Sequence, residues 1–185
     1  MTPTTPNIEQ LVQLCKSGNQ SAQLEIYNRY YKAMYNASLR IVKNSFEAED
    51  IMQDSFLVAF TRLETLKDAS TFGPWLKRIV INNSIYHYNK NIKKQETPLD
   101  NILHIVENSE DKHETNYDYT NLKAQEILNT MKLLKESYRI ALTLNLIEGY
   151  DYEEVSEIMN ISNANSRTLI SRAKESLRQK LQATA

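Results

Sequence analysis

Acidic and amide side chains recur at helical spacing in the segment FEAEDIMQDSFLVAF, which begins at residue 46. Residues three or four apart lie on one face of a helix, so Glu47, Asp50 and Asp54 would share a face, with Gln53 beside them. Carboxylates in this arrangement suit a metal ion or a basic protein partner. The alternative is a solvated acidic first turn favoured by the helix dipole, which explains Asp54 less well because Asp54 lies further along the helix.

The segment NISNANSRTLISRAKESLRQK, residues 160–180, has the opposite character. Its net charge is +4 in a chain of net charge −1, because five basic side chains outnumber one acid. These are Arg167, Arg172, Lys174, Arg178 and Lys180 against Glu175. Such a segment suits nucleic-acid phosphates. A sequence pI of about 6.3 argues against a protein that coats nucleic acid unaided, so any basic face must be local.

The remaining candidates for chemistry do not form a site. His87, His104 and His113 have no metal-ligand spacing with one another or with Cys15, and the chain has no glycine-rich phosphate loop. Cys15 is interpreted as a small buried apolar residue rather than a reactive thiol. The sequence therefore predicts no catalytic residue, no metal ligand, no cofactor and no enzymatic activity.

The composition of the 185 residues favours long helices, because only three are glycine and four are proline. No strand signal is present. The first residues, MTPTTPN, lack the pattern of a signal peptide, and no apolar run is long enough to span a membrane. We expect an all-α soluble protein of the cytoplasm, without membrane insertion.

Apolar residues at spacings of three and four predict four helices in the first half of the chain. The first ends at Gly18, the second covers about 21–42, the third is opened by Asn44 with Glu47, and the fourth begins at Gly73-Pro74 and fades near Asn91. A loop covers the segment ETLKDAST. The predicted apolar stripes are Ile8, Leu11, Val12 and Cys15; Leu24, Tyr27, Tyr31, Met34 or Tyr35, Ser38 and Val42; Ile51, Met52, Ser55, Phe56, Ala59, Phe60 and Leu63; and Trp75, Leu76, Ile79, Val80 and Asn83.

A polar segment with a net charge of −4, residues 93–121, separates these helices from a second helical region. We interpret it as a flexible acidic linker. Periodicity returns with Leu122, Ile127, Leu128, Met131 and Leu134, followed by a helix around 137–148. The prediction is therefore two small helical domains, residues 1–92 and 122–185, joined by the linker.

Residues 151–180 have the layout of a DNA-binding helix-turn-helix. Asp151 with Glu154 caps a short helix, and Ser162 caps a longer basic one whose apolar face contains Ile170 and Ala173. Asn, Arg and Thr side chains can contact adenine, guanine and the thymine methyl group. Those facing away from the core are Asn163, Arg167, Thr168, Ser171 and Arg172. The alternative is a solvated basic face on an ordinary helical hairpin.

Longer stretches resemble a known family. AEDIMQDSFLVAF followed by TFGPWLKRIVINN resembles region two of bacterial sigma factors. LLKESYRIALTLNLIEGYDYEEVSEIMNISNANSRTLISRAKESLRQKL resembles region four. With a short linker and no domain between, the chain resembles the compact extracytoplasmic-function (ECF) group of the sigma-70 family over residues 8–92 and 122–181.

This resemblance implies a sigma factor that binds core RNA polymerase, recognises promoter DNA, melts the −10 strand and directs transcription initiation. It implies that the acidic face formed by Glu47, Asp50, Gln53 and Asp54 contacts polymerase. Members of the group are often held by an anti-sigma protein, which adds a third expected partner. The main alternative is a classical helix-turn-helix regulator that binds duplex DNA without polymerase; the absence of a strand pattern before the helix-turn-helix disfavours it.

Two sets of DNA contacts also follow from the resemblance. The −10 contacts are Leu66, Lys67, Lys77, Arg78, Asn82 and Tyr86, and the −35 contacts are Asn163, Asn165, Arg167, Thr168, Ser171 and Arg172. Tyr86 and Tyr88 could stack on bases, although packing in the core is the preferred interpretation. The chain departs from the family pattern at Leu66, Ile81, Tyr86, Ala164, Ser166 and Leu169, so the family's choice of bases does not transfer.

Overall fold

The computed structural model describes residues 6–95 and 119–184, and every regular element in these two ranges is helical. The chain divides into two compact units, residues 1–99 and 100–185. The all-α prediction is confirmed. No helix among the described residues is both long and apolar enough to cross a bilayer.

The described residues of the first unit form four α-helices, three of which begin at an asparagine cap. They are α1 (Ile8–Lys16), α2 (Gln20–Val42), α3 (Ser45–Thr61) and α4 (Phe72–Gln95). In the first three, an asparagine Oδ1 accepts a hydrogen bond from a backbone N–H of the first turn, which would otherwise lack a partner. The capping residues are Asn7, Asn19 and Asn44, with N···O distances of 2.8, 3.0 and 3.0 Å.

The core of the first unit forms where α2, α3 and α4 pack on one another, with α1 against α2. Tyr27 contacts Phe56 at a ring-centroid distance of 4.9 Å, and Tyr30 meets Phe72 edge-on at 5.5 Å. The largest fully buried side chains of the unit are Phe72, Ile26, Ile41, Ile51, Leu76, Ile81, Val12 and Val80. The predicted stripe of α3 is confirmed, since all of its members are buried or half-buried.

Leu24 was wrongly placed in the core stripe of α2. Its side chain is exposed, whereas Ala22 and Ile26 are buried. A residue two positions from Ile26 lies about 200° around the helix. The buried face of α2 thus includes small residues such as Ala22 and Ala37, which a search for large apolar side chains undervalues.

The segment between α3 and α4 contains two short 3₁₀ helices, Leu63–Thr65 and Ala69–Thr71. The end of α4 differs from the prediction, because the helix continues past Asn91 to Gln95. Asn91 Nδ2 donates to Glu47 Oε1 at 3.1 Å. This bond ties the last turns of α4 to the first turn of α3.

The described residues of the second unit form four α-helices and one π-helical turn. They are α5 (Tyr119–Lys132), α6 (Glu136–Leu142), the π turn Thr143–Ile147, α7 (Tyr152–Met159) and α8 (Asn163–Thr184). The helix predicted over 137–148 is therefore present, but its last part is wider than an α-helix. Glu148 N donates to Thr143 O at 3.0 Å, five residues back, and Gly149 ends the helix at a φ of 82°.

Helices α5, α6 and α7 each contact α8. Met131, Leu134, Leu142, Ala173 and Leu177 form one buried cluster. The predicted helix at the start of the unit is present, but Leu122, Ile127 and Leu128 on it are exposed. Only the C-terminal part of α5, with Thr130 and Met131, is buried.

Most of the predicted linker lies outside the described residues. Helix α4 ends at Gln95 and α5 begins at Tyr119, so both helices extend a few residues into the range 93–121. The predicted domain boundaries therefore stay a prediction.

Replacing Phe72 with alanine tests the core of the first unit. Phe72 is fully buried where α4 begins, so Phe72→Ala should lower the free energy of unfolding by about 3–5 kcal/mol. Trp75 is the chain's single tryptophan and lies in this unit, so its fluorescence during urea denaturation measures the change. Phe46→Ala is the matched control, because Phe46 is 78% exposed and its loss should change stability by less than about 0.5 kcal/mol. Equal effects of the two substitutions would contradict the assignment.

Candidate nucleic-acid and partner interfaces

The acidic face of α3 is exposed where the sequence predicted a partner. Asp50, Gln53 and Asp54 all point to solvent. Gln53 Nε2 donates to Glu49 Oε1 at 3.2 Å, which orders the amide along the helix. The buried side of the same turns holds Ile51 and Met52, so α3 separates an inner apolar face from an outer acidic face.

Glu47 belongs to the structure of the unit rather than to this exposed face. It is half-buried, its N–H donates to Asn44 Oδ1, and its carboxylate accepts from Asn91. A carboxylate held in this way is poorly placed to contact a partner. The contact of Glu47 with a partner stays a prediction, and Asp50, Gln53 and Asp54 are the exposed members of the predicted set.

Two large apolar side chains on the same face were missed by the sequence analysis. Phe46 is 78% exposed and Leu57 is 65% exposed. The positions 46, 50, 53 and 57 differ by four, three and four, so they form one line along α3. Phe46 and Leu57 thus flank Asp50 and Gln53, and this set is the α3 strip. The spacing was visible in the sequence, but only the packing shows that these two apolar residues lie outside the core.

Helix α4 presents a second polar line. Arg78, Asn82 and Tyr86 are four residues apart, and they lie on one face of the helix. Asn82 and Tyr86 are exposed, whereas Lys77 and Arg78 are half-buried. Tyr86 is 64% exposed, with its ring edge-on to His87 at 5.8 Å. The preferred interpretation of Tyr86 as a core residue was therefore wrong, while Tyr88 is half-buried.

Leu66 does not project from the loop before α4. Its side chain is only 7% exposed and belongs to the core cluster of the first unit, so it cannot contact DNA as predicted without leaving the core. Lys67 and Asp68 are the exposed side chains beside it. Hydrogen bonds from the Ser70 hydroxyl and backbone N–H hold the pKa of Asp68 below its ordinary value.

Helix α8 begins as predicted with Ser162, whose Oγ accepts from Asn165 N at 3.2 Å. Five of the six predicted base-contacting residues are exposed, namely Asn165, Arg167, Thr168, Ser171 and Arg172, and Asn163 is half-buried. The opposite side of α8 buries Ile170 and Ala173 completely. The helix-turn-helix prediction is thus matched by one buried face and one exposed polar face.

Arg167 has two neighbours that hold its guanidinium. Its Nε donates to Asn163 Oδ1 at 3.0 Å, and its Cζ lies 5.5 Å from the centroid of the Tyr152 ring. Tyr152 opens α7, where Asp151 and Glu154 form the predicted capping box with N···O distances of 2.8 and 3.0 Å. The side chain at the start of one helix therefore supports an arginine of the next.

Ser166 explains one departure from the family pattern. It is one of the positions at which the chain departs from the family pattern, and its side chain is fully buried. Its hydroxyl donates to the Tyr152 carbonyl oxygen at 2.8 Å, so the polar group is satisfied by a bond between α8 and α7.

The described residues contain no cluster of His, Cys, Asp and Glu side chains able to hold a metal ion. Cys15 is buried in the core of the first unit, and burial raises the pKa of its thiol. The interpretation of Cys15 as a buried residue is confirmed.

Comparison with known proteins identifies the family. The family model for Sigma-70 region 2 matches residues 26–93, and that for Sigma-70 region 4 matches residues 124–177. ECF RNA polymerase sigma factor SigM of Bacillus subtilis is 31% identical over 83% of this chain and 91% of its own length. SigW of the same organism is 30% identical over 94% of this chain and 96% of its own. The chain belongs to the ECF group of the sigma-70 family.

Solved structures share the fold of this sigma factor. CnrH in complex with the cytosolic domain of CnrY gives a TM-score of 0.56 at 21% identity, covering 96% of this chain and 99% of that one. The sigma factor RpoE in complex with the anti-sigma factor NepR from Bartonella quintana gives 0.58 at 18% identity, covering 85% and 95%. A classical helix-turn-helix regulator is disfavoured, because α2 to α4 match sigma-70 region 2.

The Ser166 hydroxyl provides a test of how α7 and α8 are joined. Ser166→Ala should lower local stability by about 1 kcal/mol, because it removes a buried hydrogen bond. Amide hydrogen exchange should then accelerate about fivefold in α7 and in the first turns of α8. Ser171→Ala is the matched control on the exposed face of the same helix, and it should leave exchange unchanged. Unchanged exchange in Ser166→Ala would show that the bond contributes nothing.

Proposed function

We propose that this ECF sigma factor binds core RNA polymerase through the α3 strip, holds the melted −10 strand on α4, and selects promoters through α8. In this role the protein catalyses no step itself, since polymerase performs the chemistry. It places the protein in the cytoplasm, with the transcription machinery.

The observation that supports this proposal most strongly is that one chain of this family exposes an acidic strip and a basic helix in separate units. The α3 strip has apolar side chains at both ends and acidic and amide groups between them. Exposed apolar groups of this kind mark protein contact sites, and the acids select a basic partner. A regulator that binds duplex DNA alone has no use for such a surface.

Recognition of the −10 element requires a surface for a single strand. Stacking on an aromatic side chain is tolerant of base identity, and cationic groups attract the backbone. Tyr86 provides an exposed ring, Asn82 an exposed amide, and Lys67 an exposed ammonium group at the neighbouring loop. We assign these three residues, with Lys77 and Arg78, to the melted strand.

Recognition of the −35 element requires a helix that enters the major groove. The exposed face of α8 offers arginine, asparagine, threonine and serine side chains, which together can contact any base pair. The short turn before α8 and the capped start of the helix are typical of helix-turn-helix proteins.

The low net charge of the protein indicates that polymerase contributes most of the affinity for DNA. A chain of net charge −1 gains little affinity for DNA from nonspecific contacts with phosphates. Polymerase therefore supplies most of the affinity for DNA, and α8 selects the site. We extend an anti-sigma partner to this chain as a second protein partner, since one of the two structures that share its fold contains such a factor.

Transcription in vitro tests the proposal directly. The full chain is mixed with bacterial core polymerase and a library of random promoter DNA, and the starts of the transcripts are sequenced. We expect starts downstream of a shared pair of elements, with none when either protein is omitted. Tight binding of the free chain to a specific duplex, together with no transcription, would contradict the proposal and favour a classical regulator.

Reversing the charge of Asp50 should weaken polymerase binding. Asp50→Lys places a cation at the centre of the α3 strip, and the like-charge contact with a basic partner should raise the Kd for core polymerase at least about tenfold. Biolayer interferometry with immobilised core enzyme measures the change. Glu9→Lys is the matched control, because Glu9 is an exposed acid on α1 of the same unit. An equal effect of both reversals would attribute the loss to net charge rather than to the strip.

Removing the Tyr86 ring should impair promoter opening. Tyr86→Ala should shorten the lifetime of open complexes about tenfold, because stacking on one base contributes about 1–3 kcal/mol. Tyr86→Phe keeps the ring and should retain the lifetime. Permanganate reactivity of −10 thymines, followed after a heparin challenge, measures it. If Tyr86→Ala opens promoters as stably as the unchanged chain, Tyr86 does not stack on the strand.

A further inference from the structure

The side chain of Arg167 has a defined position before any DNA is present. An exposed arginine on a helix surface ordinarily samples many rotamers, and fixing it on binding costs about 2 kcal/mol of side-chain entropy. Here the guanidinium Nε donates to Asn163 Oδ1 at 3.0 Å, and its Cζ lies over the Tyr152 ring, 5.5 Å from the ring centroid. These two contacts hold it from different directions.

The contact with Asn163 determines which nitrogens remain for DNA. A guanidinium has five N–H donors in a planar fork, and Nε carries one of them. With Nε engaged, the two terminal nitrogens form the free end of the fork. That end matches the paired acceptors O6 and N7 of guanine in the major groove. Asn163 keeps its amide NH₂ for a contact of its own.

The contact with Tyr152 is the second restraint on the position of that fork. The Tyr152 side chain is 38% exposed, so its ring can support a neighbour without being buried itself. Its backbone is fixed twice. The capping box at Asp151 begins α7 one residue earlier, and the Tyr152 carbonyl accepts the buried Ser166 hydroxyl. Ser166 precedes Arg167 directly in the chain, so the residue next to Arg167 is bonded through its side chain to the backbone of Tyr152.

We propose that Tyr152 is a positioning residue for −35 recognition, whose ring orients the Arg167 guanidinium toward a guanine. This inference rests on the proposed function, because it requires that α8 contacts promoter bases. Tyr152 lies on the first helix of the helix-turn-helix and outside the predicted set of base-contacting residues. Its effect on specificity passes through Arg167, and its phenolic hydroxyl is not required.

A promoter library measures this effect base by base. Linear templates randomised over the −35 element are transcribed by core polymerase with the full chain, and the sequenced transcripts give the preference at each position. Arg167→Ala first identifies the base that Arg167 contacts, since that position loses its preference. Tyr152→Leu should then reduce the preference at the same position about 2- to 5-fold, as expected for an exposed cation–π contact. Tyr152→Phe should preserve it.

Combined variants separate positioning from a structural role. In the Arg167→Ala background, Tyr152→Leu should cause no further change at that position. In the Arg172→Ala background, its effect should stay at the Arg167 position, because Arg172 lies on the same exposed face but it is the Arg167 guanidinium that lies over the Tyr152 ring. Circular dichroism confirms that the Leu variant folds, and Tyr152→Met replaces it if the helical signal is lost.

Three outcomes would overturn the inference. Preference at the Arg167 position that is unchanged in Tyr152→Leu shows that the ring does no positioning. An equal loss of transcription from all sequences points to a phosphate contact or a folding role. A loss in Tyr152→Phe as large as that in Tyr152→Leu assigns the effect to the hydroxyl. Absence of transcripts with the unchanged chain would instead refute the proposed function, which keeps the two failures distinct.

Discussion

Hydrogen bonds between buried polar side chains fix how α4 lies against α2 and α3, and the surfaces of the first unit depend on this. Ser84 Oγ is bonded to Ser38 Oγ at 2.9 Å, and Asn83 Nδ2 donates to Ser55 Oγ at 2.9 Å. Asn91 extends the series to Glu47. Apolar contacts tolerate sliding and rotation, whereas hydrogen bonds are directional and an unmade one is costly in a core. The bonds therefore set the rotation of α4, which places Asn82 and Tyr86 outward.

In the second unit, a hydrogen bond from a buried side chain likewise fixes how two helices pack. A single buried hydroxyl, Ser166, joins α8 to the first residue of α7. A purely apolar contact at this position would pack the helices equally well. It would leave the position of one helix along the other less defined. Tyr152 itself accepts this hydrogen bond and Arg167 follows Ser166 directly in the chain, so the bond also helps to define how the arginine and the aromatic ring meet.

Much of the fold was predictable because helix starts depend on local chemistry. Asn44, Asp151 and Ser162 cap helices where the sequence indicated, since a cap needs only a side chain and the next three backbone groups. The acidic face of α3 and the polar face of α8 were also predictable, because helical spacing alone places their residues. The prediction of Glu47 as the capping partner was half right, because its backbone N–H donates to Asn44 Oδ1 but its carboxylate accepts from Asn91.

The errors concern which apolar and aromatic side chains are buried. Leu66 was predicted to contact DNA but is buried, and the preferred interpretation placed Tyr86 in the core although it is exposed. Burial depends on the neighbouring helices, which no local pattern specifies. A leucine in a loop can fill the core, and a tyrosine on a helix can face solvent. Phe46 and Leu57 were overlooked for the same reason. Leu122, Ile127 and Leu128 show the converse error, since regular spacing on α5 did not bring them into the core.

The order of residues on the α3 strip has a consequence for the protein before it meets polymerase. Two exposed apolar side chains on one helix invite a second copy of the same chain, and an antiparallel pair would bury both. Such a pairing would also bring the acids between them face to face. Asp50 in the strip and Asp54 beside it would repel the acids of the second copy, which disfavours self-association while leaving the strip open to a basic surface. The charges that we propose to select the partner therefore also oppose self-association through this face.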